Sequence, residues 1–301
     1  MEGFSMSGKT VVITGASAGI GKETALSIAK TGAKTILACR NADKANAVKD
    51  AIIQETGNSD VHVRPLDLAS LGSVRQFAED FIEEESRLDV LINNAGVVTN
   101  SRRVSEDGFE LHFQVNHLGH FLLTVLLLDK LKASAPSRVV VVASDAHKYS
   151  GKIDFSNLQY ERGWASFKSY ASSKTMNILF AVELAKQLEG SGVSVYALHP
   201  GMTQTELGRE TNIFQNKCFM YCVVPILSCC FGENLKQPKE GAATTLYCAL
   251  EPTVQSQSGR YYRDSKIVGA KSFATDEKTA RSLWEISASL CGLDTGQTDT
   301  S

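Results

Sequence analysis

The stretch Thr10-Val11-Val12-Ile13-Thr14-Gly15-Ala16-Ser17-Ala18-Gly19-Ile20-Gly21 carries a short β-branched run straight into a glycine-rich turn. The run predicts a strand over Thr10–Thr14, and the spacing of apolar residues after it predicts a helix over Ile20–Thr31. Glycines between a strand and a helix permit a tight turn and let backbone N–H groups approach a pyrophosphate at the helix N-terminus. A glycine triplet alone is a weak signal. Here it stands between strand and helix at the head of an alternating pattern, which is the context that gives it weight. Gly15, Gly19 and Gly21, with Ser17, Ala18 and Ile20 between them, are candidate dinucleotide contacts.

Further strands are expected at Lys34–Ala38, Val61–Leu66, Asp89–Asn93, Arg138–Ala143 and Val193–His199. Helices are expected at Asp43–Glu55, Leu71–Glu85, Asp107–Lys132 and Phe167–Leu188. Apolar runs alternating with helices indicate a parallel sheet covered on both faces. The reading is an α/β chain, a single Rossmann domain with a doubly wound parallel sheet of about seven strands. After His199 the alternation lapses, then resumes with a helix at Lys239–Leu250, a strand at Gly259–Tyr262 and a helix at Asp276–Leu290. One domain is expected over 1–293, with a substrate lid at about 201–235 and a flexible tail at 294–301.

The chain has 301 residues, a formal charge of -2 and seven cysteines. The charge gives no basis for a nucleic-acid partner. The cysteines are odd in number and contain no C-x-x-C pair, which argues against a disulfide framework or a zinc site. His117, His120 and His147 lack a further ligand at metal-binding spacing, so no metal is expected. Met1–Lys9 has neither an apolar run nor a basic stretch, and no targeting segment is read there. These features predict a cytoplasmic protein.

At the end of the second strand, an acid would bind the 2′-hydroxyl of NAD and an arginine would suit the 2′-phosphate of NADP. The chain reads Leu37-Ala38-Cys39-Arg40-Asn41, which favours NADP(H) over NAD, although a surface arginine would read the same. Asp67, before Leu68, is placed either to cap the next helix or to touch an adenine. Asn93-Asn94-Ala95-Gly96 closes the fourth strand where a cofactor would cross the carboxyl edge of the sheet, or where asparagines stabilise a turn. Tyr170 and Lys174 are four residues apart in a predicted helix and so share one face. A unit charge at roughly 4 Å, in an effective dielectric of about 20, is worth about 4 kcal/mol to its partner. That would bring a phenol pKa from about 10 toward about 7, where it can act as a general acid and base.

Taken together, Thr14-Gly15-x-x-x-Gly19-x-Gly21, Asn93-Asn94-Ala95-Gly96, Ser144, Tyr170-x-x-x-Lys174 and Pro200-Gly201 occur in an order that resembles the short-chain dehydrogenase/reductase family. The chain is most similar to the NADP-dependent retinol dehydrogenase branch. The likeness rests on Leu37-Ala38-Cys39-Arg40, the segment Asn116-His117-Leu118-Gly119-His120-Phe121-Leu122-Leu123-Thr124, and His199-Pro200-Gly201 followed by Thr205-Glu206-Leu207. Ile153-Asp154-Phe155 and Ala280-Arg281-Ser282-Leu283-Trp284 add to it. The resemblance implies that Tyr170 exchanges a proton with the substrate oxygen and that Ser144 hydrogen-bonds that oxygen. It implies that Lys174 lowers the tyrosine pKa and holds the nicotinamide ribose, with Asn116 holding a water chain to the lysine. Gly15, Ser17, Ala18, Gly19, Ile20, Gly21, Arg40, Asp67, Leu68, Asn94, Ala95, Gly96, Pro200, Gly201 and Thr203 (or Thr205) would contact NADP(H). Met202 departs from the β-branched residue that the family usually has after Pro-Gly.

The implied activity is interconversion of a lipophilic alcohol and its carbonyl, of the retinol/retinaldehyde kind, with cytosolic NADPH favouring reduction. Reduction of soluble aromatic, steroid or xenobiotic carbonyls is an alternative, as is a non-catalytic nucleotide-binding protein. The turn does not fit the Gly-x-x-Gly-x-x-Gly of sugar-nucleotide epimerases. Membrane-bound relatives carry an N-terminal apolar anchor, whereas here the first strand starts at Thr10. The apolar segment 214–231 is expected to roof a pocket or to make peripheral contact with endomembranes, with Cys229 and Cys230 as palmitoylation candidates. A homo-oligomer is expected by resemblance.

Overall fold

A computed structural model describes residues 5–203 and 235–293. Among these residues eight strands form one sheet in the order β3-β2-β1-β4-β5-β6-β7-β8. They are β1 (Thr10–Thr14), β2 (Lys34–Cys39), β3 (Val61–Pro65), β4 (Val90–Asn93), β5 (Ser137–Val142), β6 (Val193–His199), β7 (Tyr261–Arg263) and β8 (Lys266–Ile267). The first seven pair in parallel, and β8 returns antiparallel to β7. The expected count of about seven thus holds for the parallel part. The turn to β8 uses Asp264 and Ser265, both with positive φ (51° and 58°). Hairpin turns of this kind are normally announced by Asn-Gly or Asp-Gly, and here no glycine marks it.

Strands in the middle of the sheet are buried along their whole length: every residue of β1, β4 and β6 is buried. That is why they read as apolar runs without alternation. Helices α1 (Gly19–Ala29) and α2 (Ala42–Thr56) cover one face together with a late helix, α7 (Pro238–Leu250). Their core contains Ala25, Ile28, Ile52 and Leu246. The opposite face carries α3 (Leu71–Glu84), α4 (Gly119–Leu126), α5 (Leu128–Ala133), α6 (Ser166–Gln187) and α8 (Glu277–Leu290). Phe77, Phe81, Phe121, Phe180 and Leu283 belong to its core.

The expected helix over Asp107–Lys132 is corrected. Residues 104–110 form a β-bridged turn, Val104 pairing with Glu110, and Gly108 adopts φ 86°. The Asp107 carboxylate accepts from Leu71 N–H (2.8 Å) and Gln114 Nε2 (3.2 Å) instead of opening a helix. A π-helical turn then spans Phe113–Leu118 before α4, and Leu127 breaks α4 from α5. Nothing in apolar periodicity signals the extra residue of a π turn, because all six of its side chains are buried.

β1 lies between β2 and β4, so the chain crosses to one face after β1 and to the other after β4. Such a reversal opens a crevice at the carboxyl ends of the strands. Asp89 pins the opposite end of this strand pair. Its carboxylate accepts from Thr10 N–H (2.9 Å), from Arg87 Nε and Nη2 (2.7 and 2.6 Å), and from Lys9 (3.0 Å). Burial alone would raise the Asp89 pKa, but the bonds from Arg87, Thr10 and Lys9 outweigh it and hold the pKa below the ordinary value. Because the folded value is depressed, the stabilisation is complete above the unfolded carboxylate pKa and is lost as pH falls through the folded one. Asp89→Asn is expected to cost about 1–3 kcal/mol at neutral pH. Urea unfolding across an acid series checks it: the gap to wild type must close as pH falls.

Candidate active site

The turn after β1 is built by close approach. Gly15 has φ 67°, and a Cβ on Gly21 would lie 2.4 Å from the Gly15 carbonyl oxygen and 2.6 Å from Asn94 Nδ2. No larger residue fits at 21 without moving the turn. Asn94 closes the turn from the β4 side, donating from Nδ2 to Thr14 O at 2.9 Å. The Thr14 hydroxyl accepts from the backbone N–H of Asn94 and of Ala95, each at 2.9 Å. The asparagine of this segment is therefore both a turn stabiliser and a wall of the crevice.

The crevice is a cleft of about 810 Å³, and its lining contains every cofactor residue expected from the sequence: Gly15, Ser17, Ala18, Gly19, Ile20, Gly21, Arg40, Asp67, Leu68, Asn94, Ala95, Gly96, Tyr170, Lys174, Pro200, Gly201 and Thr203. Arg40 is exposed at its rim and has no side-chain partner among the described residues. Lys44, one helical turn further on, lines the same rim and was not singled out by the sequence. Between them Asn41 caps α2, accepting from Lys44 N–H at 2.8 Å. The two readings of Asp67 resolve locally. Ser70 is the residue that caps α3, accepting from Ser73 N–H at 3.2 Å, while Asp67 Oδ1 accepts from Ala69 N–H at 2.9 Å. Asp67 thus shapes the turn before the helix and faces the cleft. Thr203 bridges to Lys236, which places the strand-like start of the segment after β6 against the cleft. Thr205, Cys229, Cys230, most of the expected lid and the 214–231 segment lie outside the described residues.

At the other end of the cleft, Ser144 follows β5 and caps a 3-10 turn (Asp145–Tyr149), accepting from Ala146 N–H at 3.1 Å. Tyr170 and Lys174 project from α6 onto the same wall. The lysine is 3 % exposed; its Nζ donates to Val142 O at 3.0 Å and lies 5.7 Å from the centre of the Tyr170 ring. Burial pushes the Lys174 pKa down to about 8. It pushes Tyr170 up to about 12, against a hydrogen bond with Ser144 that pulls it down. The simple charge-pair expectation is corrected for the protein alone. Spacing did put both groups on one face, but the ammonium is engaged by a strand carbonyl, and desolvation of the phenol outweighs its hydrogen bond with Ser144.

Asn116 does not line the cleft. It is fully buried in the π turn, its Oδ1 accepting from Val97 N–H (2.8 Å) and its Nδ2 donating to Ser173 Oγ (3.0 Å) and Val97 O (3.2 Å). It therefore braces the exit of β4 against the residue preceding Lys174. Sequence reasoning missed a second brace behind Tyr170. Buried Glu110 accepts from Trp164 Nε1 (3.0 Å) and Phe113 N–H (2.9 Å) and approaches His112 Nδ1 (3.1 Å). His112 Nε2 accepts from Thr99 N–H at 2.9 Å, and its ring meets the Tyr170 ring edge-on at 6.3 Å. The available signal was the repeated polar residue in an apolar segment: His112, Gln114, Asn116, His117, His120 and Thr124 are all buried. The histidines do not converge. His117 Nε2 meets Ser287 Oγ (2.9 Å) and His120 Nε2 meets Thr14 Oγ1 (2.8 Å). Among the described residues no group of three or more His, Cys, Asp or Glu is placed to hold a metal.

A family profile, short chain dehydrogenase, matches residues 9–216. The chain belongs to the short-chain dehydrogenase family. As such it is a nicotinamide-dependent oxidoreductase related to retinol dehydrogenases. Retinol dehydrogenase 13 of Homo sapiens is 48% identical over 288 residues, covering 95% of this chain and 86% of its own length. Retinol dehydrogenase 11 of Mus musculus is 47% identical over 286 residues, covering 95% and 87%. A solved structure of a putative uncharacterized protein from Mycobacterium paratuberculosis superposes with TM-score 0.76 at 33% identity, covering 97% of this chain and 96% of that one. A putative NAD(P)-dependent gluconate 5-dehydrogenase from Beutenbergia cavernae with bound NADP gives TM-score 0.68 at 25% identity, covering 86% and 95%.

The cleft of this short-chain dehydrogenase fits a nicotinamide dinucleotide. The space that a Cβ at Gly15 or Gly21 would fill is left to backbone, at the N-terminus of α1, where pyrophosphate is favoured. The Lys174 shift gives a direct test of the site's electrostatics. A lysine whose folded pKa is about 8, against the usual 10.5, loses its proton on folding between those values. Stability therefore rises with pH across that window. Relative to Lys174→Met, the wild type should gain roughly 3 kcal/mol from pH 7 to about 10.5. Urea unfolding at each pH reads the gap; a flat difference would contradict the burial argument.

Proposed function

We propose that this short-chain dehydrogenase uses NADPH to reduce a lipophilic carbonyl of the retinaldehyde kind, and with NADP oxidises the corresponding alcohol. The observation that carries the reading is the convergence of Ser144, Tyr170 and Lys174 on one wall of the cleft that the glycine turn opens. The cofactor, when bound, supplies or accepts the hydride. Everything else falls to the chain. Ser144 holds the carbonyl oxygen by a hydrogen bond and polarises it. The Tyr170 hydroxyl gives its proton to that oxygen as charge develops there. The protonated Lys174 supplies positive charge beside the phenolate that remains. Pyrophosphate is held at the glycine turn and the 2′-phosphate by Arg40, whose guanidinium fork suits phosphate.

Two features support the lipophilic class. The names of the relatives above are one. The other is the mouth of the cleft, where Tyr149 and Phe167 remain 53% and 56% exposed with ring centroids 5.9 Å apart. Large apolar rings left in water beside a reaction centre mark a surface for an apolar ligand. Among the described residues no helix is long and apolar enough to cross a membrane. We place the protein in the cytoplasm, with peripheral endomembrane contact through 214–231, and as a homo-oligomer by family likeness.

NADPH oxidation with all-trans-retinaldehyde, beside a panel of soluble aromatic and steroid carbonyls, tests the activity. Tyr170→Phe is expected to lower kcat by about 10²–10⁴ while NADPH still binds. Turnover confined to soluble carbonyls would discard the retinoid and keep the chemistry. Turnover that survives Tyr170→Phe would overturn the mechanism. Cofactor choice is tested separately. Arg40→Ala should raise the KM for NADPH roughly tenfold or more, the worth of a charge-assisted bond, and leave that for NADH within about twofold. Equal changes for both cofactors would remove Arg40 from the 2′-phosphate.

A further inference from the structure

His120 lies one helical turn after Asn116 and is 2% exposed. Its Nδ1 is 3.2 Å from the Asn116 main-chain carbonyl oxygen, and its Nε2 is 2.8 Å from Thr14 Oγ1. A carbonyl can only accept, so Nδ1 carries the proton. Burial pushes the His120 pKa down to about 3, with the charge of Lys174 acting in the same direction, so the ring is neutral and Nε2 is bare. A bare Nε2 must accept, which commits the Thr14 hydroxyl proton to it. The hydroxyl's two remaining acceptor positions then meet the N–H groups of Asn94 and Ala95, each at 2.9 Å. The competing acceptor for that proton, Ile92 O, is farther away at 3.4 Å. The chain of bonds therefore has one polarity and no donor or acceptor left over.

The two ends of this chain lie in different parts of the site. Thr14, Asn94 and Ala95 shape the wall beside the glycine turn. Asn116, whose main-chain carbonyl stands at the other end, donates from its side-chain Nδ2 to Ser173, the neighbour of Lys174, at 3.0 Å. We propose that His120, as its Nδ1–H tautomer, is a positioning residue that locks the dinucleotide wall to the Asn116 brace behind Lys174, keeping cofactor binding and proton transfer in one register. The proposal rests on the reaction assigned above to Tyr170 and Lys174.

Two near-isosteres separate its halves. In His120→Asn the side-chain amide can occupy the place of Nδ1 and keep the Asn116 bond, while the Thr14 bond is lost. In His120→Gln the terminal amide reaches the place of Nε2 and keeps Thr14, while the bond to the Asn116 main-chain carbonyl is lost. The expected result is a split. His120→Asn weakens NADPH binding about tenfold with kcat within about threefold, and His120→Gln lowers kcat about tenfold with NADPH affinity within about threefold. His120→Leu loses both. NADPH fluorescence titration and single-turnover reduction read the two quantities. Parallel losses in both, tracking thermal stability, would reduce His120 to packing and overturn the proposal, as would no loss in any variant. Tyr170→Phe runs alongside: turnover that survives it would sink the assigned reaction, while the binding arm of the His120 split is still read. Should the variants fail to fold, 15N NMR of histidine-labelled wild type decides the matter. A neutral Nδ1–H imidazole that does not titrate from about pH 5 to about pH 9 is expected; an Nε2–H tautomer would overturn it.

Discussion

The site depends on the absence of two methyl groups. Helix α1 starts so close to the end of β1 that a Cβ on Gly21 would stand 2.4 Å from the Gly15 carbonyl, and one on Gly15 would stand 2.9 Å from Ala95. Backbone meets backbone at both places. The first contact sets the angle at which α1 leaves the sheet, and the second sets the distance between β1 and the segment after β4. The crevice at the reversal of strand order is therefore lined with main chain, whose N–H groups suit an anion that side chains would otherwise crowd out. Asp89 works at the far end of the same strand pair, holding β1 to β4 away from the crevice.

Most of this frame is legible in the chain, and the reasons are physical. A strand buried on both faces cannot alternate, so β1, β4 and β6 stand out as apolar runs between periodic helices. The strand-to-helix glycines mark the crevice itself, and the cofactor residues from Gly15 to Thr203 named from order and position line it, whereas Asn116 does not. What stays illegible has a common cause, which is that local pattern does not report tertiary partners. Asp107 looks like a helix start, yet its carboxylate is drawn to Leu71 N–H across the interface. The turn into β8 lacks glycine because Asp264 and Ser265 accept positive φ there, with the Ser265 N–H bonded to Thr244. Asn116 matches a motif position, but its place behind the cleft follows from bonds to Val97 and Ser173 that no spacing predicts.

Tyr170 and Lys174 show the same limit in energetic form. Spacing correctly puts them on one face, and Coulomb's law then suggests a lowered phenol pKa. Burial reverses the sign for the protein alone, raising the tyrosine to about 12 and lowering the lysine to about 8. Both shifts mean the same thing: the wall disfavours charge until charge is matched. A neutral phenol is the proton donor that carbonyl reduction requires. The cost of the phenolate arises only as the reaction proceeds, when the ammonium and the Ser144 hydroxyl are already in place to offset it.

That arrangement works only if the groups stay where they are. Lys174 donates to a strand carbonyl at 3.0 Å, and Tyr170 lines the cleft with its ring edge-on to His112. Rigidity comes from the polar residues of the segment between β4 and β5, each spending its hydrogen bonds on a different neighbour. His112 reaches Ser169 beside Tyr170, Asn116 reaches Ser173 beside Lys174, His117 reaches Ser287 on α8, and His120 reaches Thr14. An apolar helix of the same shape would pack as densely but would leave these orientations free. A buried polar group has a high penalty for any arrangement but the satisfied one. The polar side chains of this one buried segment thus convert a general two-layer fold into a site with a fixed geometry.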